Sequence, residues 1–250
     1  MFKAKLSDPS LLKNSVDTIS ELIHEGLFKI SSESLHMRAA DRATVAVVDF
    51  ELKKGAFEEF ECDEETEIGV NLERLLDILK RAKKDDDLTM ELSDDESRLK
   101  LSIGDGTKRD FEMPLLSLSG GQVPETKQLE FTSEIELKSD VLTKGIADAE
   151  IVADSVLFKA EDGRLSLIAE SDSGSVEAKT EQDSEELMEM EVVEDTKSRY
   201  PLEYLKKMLK ASKISDVASL KFGNDYPMEL TFEEPERIKI SFVLAPRVED

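Results

Sequence analysis

Apolar residues recur along this chain with two periods. Between residues 9 and 25 they return every three or four positions. Leu11, Leu12, Val16, Ile19, Leu22 and Ile23 then share one face, which predicts a helix with Pro9 in its first turn. A second helix is expected after Asn71 as N-cap, with Leu72, Leu75, Leu76 and Leu79 inward. A third is expected from Asp140 as N-cap, burying Val141, Leu142, Ile146, Ala149 and Val152. A fourth follows with Pro201 as its first residue and Leu202, Leu205, Met208 and Leu209 inward. Elsewhere the pattern alternates, predicting strand in 45–52, 88–92, 99–103, 156–168, 228–232 and 238–243. Gly104-Asp105-Gly106 reads as a hairpin turn between 101–103 and 111–113, and Asp162-Gly163 as another.

The pattern occurs twice. Shifted by 130 residues, Leu27-Phe28-Lys29 falls on Leu157-Phe158-Lys159. Leu35, Met37 and Ala39 fall on Leu165, Leu167 and Ala169, and Leu72-Glu73 and Leu75 on Leu202-Glu203 and Leu205. Leu79-Lys80 falls on Leu209-Lys210, and Met90 and Leu92 on Leu220 and Phe222. One constant offset that aligns helices and strands together means two copies of one domain. Each copy is a strand-rich α+β unit with two helices on one sheet face. Residues 117–126 (SLSGGQVPET) have the Ser, Gly and Pro content of a connector. The expected organisation is therefore a domain over 1–116, a connector over 117–126 and a second domain over 127–250.

Charge adds a second asymmetry. The chain of 250 residues carries a net charge of −24, which alone argues against nucleic acid, since duplex affinity rests on Lys and Arg. The distribution qualifies that total. Residues 58–67 hold seven acids and no base, and 181–195 hold eight acids and no base. Lys80, Arg81, Lys83 and Lys84 crowd one short stretch, and Lys206, Lys207, Lys210 and Lys213 crowd the equivalent one. Lys13 and Lys144 add bases to the other two helices. Cations at helix C-termini complement the helix dipole and need no ligand. Their recurrence in both repeats, against an acidic remainder, points to a basic stripe suited to sequence-independent phosphate contact.

Catalytic chemistry finds little support. His24 and His36 have neither metal-pair nor triad spacing. Cys62 sits in the acidic loop, where neighbouring carboxylates should raise its pKa. As a lone cysteine it excludes an internal disulfide and fits a reducing compartment. Gly120-Gly121 lacks the Lys of a phosphate-binding loop. Asp85-Asp86-Asp87 and Asp94-Asp95-Glu96 do not follow calcium-loop spacing and read as solvated turns. No metal, no cofactor and no enzymatic activity are expected. There is no apolar run long enough for a membrane span and no signal-peptide core, so a soluble intracellular protein is expected.

Several segments resemble one family. They are Met1-Phe2-Lys3-Ala4-Lys5-Leu6, the run from Ile30-Ser31-Ser32 to Ala40-Asp41, Gly69-Val70-Asn71-Leu72, Val123-Pro124-Glu125, and the ending Leu244-Ala245-Pro246-Arg247-Val248-Glu249-Asp250. Together they make the chain similar, over essentially its whole length, to the DNA polymerase sliding clamps of the proliferating cell nuclear antigen family, in the short archaeal form. The resemblance implies a homotrimeric ring of six domains, with helices lining the hole and sheets outside. Such a ring encircles double-stranded DNA as a processivity factor in replication and repair, in the archaeal cytoplasm with the nucleoid. The implied partners, held by short peptide motifs, are DNA polymerase, flap nuclease, DNA ligase and an ATP-driven clamp loader. A heterotrimeric or checkpoint-type clamp is the alternative.

The resemblance also implies three sets of residues. Lys13, Lys80, Arg81, Lys83, Lys84, Lys144, Lys206, Lys207, Lys210 and Lys213 would face DNA, while Ala147, Asp148 and Ile151 weaken the third helix in that role. The partner-peptide pocket would be formed by Ala40, Thr44, Val45, Val47, Val123, Pro124, Pro227, Val243, Leu244, Ala245 and Pro246. Gly120 and Gly121 stand where relatives often carry a larger apolar residue. Subunits would meet by strand pairing between 108–116 (Lys108, Phe111, Met113 and Leu115) and 173–180 (Val176 and Ala178), with Pro114 marking where pairing ends.

Overall fold

The computed structural model describes residues 1–104, 106–120, 123–126, 128–161 and 163–247. Asp105 and Asp162 of the two expected turns, Gly121 and Gln122 of the connector, and the terminal Val248, Glu249 and Asp250 lie outside the described residues.

The first repeat runs β1 (Phe2–Leu6), α1 (Ser10–Ile19), β2 (Glu25–Ile30), β3 (Ser34–Ala40), β4 (Ala46–Lys53), β5 (Glu59–Cys62), β6 (Thr66–Asn71), α2 (Leu72–Leu79), β7 (Leu88–Leu92), β8 (Arg98–Ile103) and β9 (Arg109–Pro114). The second runs β10 (Ser133–Lys138), α3 (Ser139–Val152), β11 (Ser155–Glu161), β12 (Arg164–Ser171), β13 (Gly174–Glu181), β14 (Leu187–Val192), β15 (Thr196–Pro201), α4 (Leu202–Met208), β16 (Val217–Phe222), β17 (Met228–Glu234) and β18 (Ile238–Leu244). The order of element types is identical in the two repeats. So is the strand order: β5-β1-β7-β8-β9 matches β14-β10-β16-β17-β18, and β4-β3-β2-β6 matches β13-β12-β11-β15. The strands of each repeat thus divide between two sheets.

Two compact units follow from the packing. One comprises Met1–Asp41, Val48–Val123 and Glu234–Ile240; the other comprises Arg42–Val47, Pro124–Glu233 and Ser241–Asp250. In the first, Phe28 of β2 is fully buried and meets Phe50 edge-on with ring centres 6.4 Å apart. In the second, the equivalent Phe158 of β11 meets Tyr200 at 5.6 Å and Phe222 at 6.1 Å. Tyr200 donates its hydroxyl to the Tyr226 carbonyl at 2.7 Å, so its burial leaves no polar atom unpaired and pushes the phenol pKa up. The repeated Leu-Phe-Lys triplet is therefore the same core position used twice.

Helix boundaries differ from expectation in three places. The first helix ends at Ile19, not near 25. Ser20 N bonds Val16 O, but Leu22 N turns to Ile19 O, tightening the chain so that β2 starts at Glu25. Leu22 and Ile23 are still buried, from that turn. Asp140 is not an N-cap; it lies inside the first turn of α3, and Lys138 is the capping residue. The Ser139 hydroxyl is given to Ser215 O at 2.9 Å instead of to the helix. Of the inward set of α3, Val141 and Val152 are only half-buried, while Gly145, which apolar periodicity overlooks, is buried. A Cβ there would lie 2.9 Å from Leu167 Cδ2, so the glycine lets α3 lie close on β12. Pro201 has extended ψ of 126° and ends β15, the helix starting one residue later with Leu202 N bonded to Asp154 O. The Asn71 cap holds: its Oδ1 accepts from Arg74 N at 2.8 Å.

Candidate nucleic-acid and protein interfaces

The helices carry the predicted cations in two settings. In the first unit α1 packs on α2. Their apolar faces turn inward, and Lys13, Lys80, Arg81, Lys83 and Lys84 lie on the other side or in the turn that follows. The Arg81 carbonyl accepts from Arg109, whose guanidinium also pairs with Asp86 at 3.0 Å, so the basic turn is anchored to β9 by its backbone and not by its cations. Burial would raise the Asp8 carboxyl, but hydrogen bonds from Ser10, helped by the Lys84 and Arg237 charges, hold it below its usual range. In the second unit α3 packs on α4 and on β11, β12 and β13. Lys144, with its side chain 74% exposed, pairs with Asp140 at 2.5 Å, which raises its pKa. Lys206 pairs with Glu150 of α3, and Lys207 with Glu203 at 2.9 Å. Lys207 also lies over the Tyr204 ring. Lys210 and Lys213 sit on a 3-10 turn (Leu209–Lys213) that prolongs α4. Ile151 of α3 is exposed on this surface.

Free strand edges are the second feature. Among the described residues β9 pairs with β8 alone and β13 with β12 alone, so each ends its sheet. From Ser175 to Glu181 the residues of β13 alternate between exposed and half-buried, with Val176 and Ala178 half-buried. On β9 Phe111 is half-buried, and of the residues flanking the strand Lys108 is exposed and Leu115 half-buried. Met113 departs from the expected surface role, because it faces Leu99 and is fully buried in its own unit. Only its backbone is available at the edge. β18 and β4, the counterparts of β9 and β13 in the other repeat, are neighbours in their sheet. Lys53 N bonds Arg237 O in the first unit, and Ala245 N bonds Val45 O in the second.

The predicted peptide pocket is split between the units. Ala40 and Val123 belong to the first, and the remaining residues to the second. There, the Ala245–Val45 hydrogen bond of 2.9 Å brings the chain end beside residues 44–47. Val45, Val243, Ala245, Pro246 and Pro227 are half-buried, and Thr44 and Pro124 exposed. Thr44 holds a left-handed φ of 58°. Leu244 and Val47 are buried and cannot line a pocket with their side chains, since β18 and β4 turn them into the core. Arg247 fixes the described end of the chain, donating its N–H to Arg199 O at 2.7 Å and pairing with Asp154 at 2.6 Å.

One concavity was missed from the sequence. A groove of about 510 Å³ in the first unit is lined by Glu25, Leu27 and Lys29 of β2, His36 and Arg38 of β3, and Leu118, Ser119, Gly120 and Val123 of the connector. A Cβ on Gly120 would meet nothing within 4 Å. The lining alternates along β2 and β3 and reads as ordinary outward strand residues, so only the path of the connector reveals it. That path is set by Gly69, paired with Leu116 in an isolated bridge, where a Cβ would lie 2.2 Å from Leu116 O.

The remaining candidate chemistry resolves into local structure. His24 Nδ1 pairs with Glu73 at 3.0 Å and His36 Nε2 with Asp49 at 2.9 Å. Burial would raise the Asp49 pKa, but the His36 hydrogen bond and the Arg38 and Lys239 charges hold it down. Cys62 is the last residue of β5, not a loop residue; burial raises its pKa first, with Asp63 and Glu65 adding to it. Among the described residues no group of three His, Cys, Asp or Glu could hold a metal ion. None of their helices is long and apolar enough to cross a membrane.

One α+β unit used twice, with a free strand edge in each repeat and cations on the exposed faces of its helices, defines the class of tandem-domain clamp proteins. Comparison with known proteins agrees. The proliferating cell nuclear antigen N-terminal domain matches residues 1–118 and the C-terminal domain matches 125–247. The chain is 35% identical to the DNA polymerase sliding clamp of Thermococcus fumicolans over 94% of each chain. It is 38% identical to DNA polymerase sliding clamp 1 of Pyrobaculum aerophilum over 94% of this chain and 93% of that one. With the sliding clamp of Thermofilum pendens it shares 34% over the full length of both. A crystal structure of the clamp antigen from Thermococcus kodakaraensis superposes with a TM-score of 0.92 at 25% identity, covering 99% of this chain and 100% of that one. The chain belongs to the proliferating cell nuclear antigen family.

Proposed function

We propose that this chain is a DNA sliding clamp subunit that closes with two copies of itself into a ring around duplex DNA and tethers DNA polymerase there. Flap nuclease, DNA ligase and the clamp loader would dock on the same ring. The observation that carries the reading is the tandem fold matching this family from end to end, in the company of relatives named as DNA polymerase sliding clamps. The family is non-catalytic, and the action is topological. A closed ring retains DNA without tight phosphate contacts, so weak, salt-screened contacts still permit sliding.

The strand order supports a head-to-tail ring. Within the chain β18 neighbours β4, and their counterparts β9 and β13 are left as free edges. A second copy can therefore pair its β13 with β9 as β4 pairs with β18, and repetition of that step closes a ring and leaves neither edge open. We assign residues 117–126 as the connector. In the peptide pocket, Val45, Val243, Ala245 and Pro246 of the second unit are the side chains a short helical motif would touch. The cytoplasm, with the nucleoid, is the expected location.

Light scattering of the purified chain tests the reading. A mass near three times 28.0 kDa, together with longer polymerase products on a primed circular template, is expected. A stable monomer that joins a sister subunit would move the assignment to a heterotrimeric clamp. One that joins none overturns it.

A further inference from the structure

The helical cations of the two units differ in a way that the sequence repeat hides. In the second unit Lys144 is held by Asp140, Lys207 by Glu203, and Lys206 reaches from α4 to Glu150 on α3. In the first unit the side-chain charges of Lys13 on α1, Lys80 and Arg81 at the end of α2, and Lys83 beyond it lie at ion-pair distance from no carboxylate among the described residues, and Lys83 meets Asp86 only through its backbone N–H, at 3.0 Å. The Asp86 carboxylate beside them pairs with the Arg109 guanidinium at 3.0 Å.

We propose that phosphate contact in this clamp is made mainly by the first unit's Lys13, Lys80, Arg81 and Lys83, while Lys144, Lys206 and Lys207 are neutralised within the second. The inference rests on the clamp reading and divides its DNA-facing set in two. A free cation that meets a phosphate releases a counterion, and each such contact steepens the salt dependence of binding by about 0.9. A lysine already paired with a carboxylate must leave that acid bare beside the polyanion, so its contact gains little. Pairing is the variable that separates the two sets, which are alike in residue type; Lys206 and Lys207 lie within α4, whereas Lys80, Arg81 and Lys83 follow the end of α2. The consequence is a ring that alternates between domains that grip the duplex and domains that let it pass.

The test uses the full chain and a short linear duplex, with affinity read by fluorescence anisotropy over a salt series. Lys80→Ala with Lys83→Ala is expected to lower the slope of log K against log salt by about 1 to 2, whereas Lys144→Ala with Lys206→Ala leaves it at the wild-type value. Conversely, Asp140→Asn with Glu150→Gln frees two lysines and is expected to steepen the slope by about 1 to 2. Equal losses from the two lysine pairs overturn the proposal, and so does an unchanged slope in the carboxylate variants. Light scattering on each variant holds the assembly state equal across the comparison. A wild-type chain that neither binds duplex nor forms a trimer overturns the clamp reading itself; a trimeric wild type with equal losses overturns only the division.

Discussion

At the scale of single residues, backbone proximity and turn chemistry decide the roles. Gly69 belongs to a motif that carries the family resemblance, and its place shows why a side chain is excluded. Leu116 N donates to Gly69 O at 2.8 Å, and a Cβ would press on the Leu116 carbonyl. Gly69→Ala is expected to cost about 1–3 kcal/mol, read as a lower urea midpoint, because backbone and not a yielding side chain must move. Asp95 acts through hydrogen bonds. It accepts from Ser93 and Ser97 in the turn between β7 and β8, and these hold its pKa at about 2 against an ordinary 3.8. A depressed folded pKa stabilises above the unfolded value and is lost as pH falls through the folded one. Asp95→Ala should therefore flatten the loss of stability between pH of about 4 and about 2, measured as urea midpoints across that window.

At the scale of elements, the helices were legible as amphipathic segments, but their ends were not. Leu22 and Ile23 continue the apolar period of α1 past the point where its hydrogen bonding tightens, because a turn can bury the same side chains. Periodicity reports burial, and burial does not require helix. Asp140 lies two residues after the observed cap Lys138, and Pro201 is itself the cap of α4, one residue before the helix, both within the usual reach of such signals. Edges were legible only through the family, since nothing in the alternation of β13 says that one side of the strand is unpaired. Along that strand neighbouring amides point to opposite sides, one towards β12 and the next to the open edge. Proline placed at Glu177 and, separately, at Ala178 should therefore give one variant with a lower unfolding midpoint. The other should keep its midpoint but shift from trimer to monomer by light scattering. Two trimeric variants would refute pairing through this edge.

At the scale of the whole molecule, an acidic body with cationic helices separates retention from attraction. The −24 charge opposes indiscriminate binding to nucleic acid, and the proposed ring would not need strong contacts to stay on its track. On the proposed function, recruitment would fall to small apolar side chains near the chain end. Ala245 is half-buried, with its backbone bonded to Val45. Ala245→Glu should leave the trimer intact and lower clamp-dependent polymerase stimulation about tenfold or more, the loss expected when a charge faces a desolvated anchor pocket. Stimulation unchanged from the wild type would remove this residue from the pocket.

The duplication, the α+β composition and the core were written in the chain, because burial imposes apolar periods that repeat wherever the fold repeats. Phe28 and Phe158 announce themselves that way, as do the leucines that open α2 and α4. Which strand edge stays open, which lysine meets a carboxylate and which apolar residue turns into the core were decided in three dimensions. Met113, Val47 and Leu244 look like neighbours of the surface residues beside them, yet their strands face them inward. Lys83 and Lys206 belong to equivalent basic clusters, but the approach of α3 to α4 gives only Lys206 a partner. Local sequence specifies the period of an element; the direction of its faces and the company of its charges depend on residues far away in the chain.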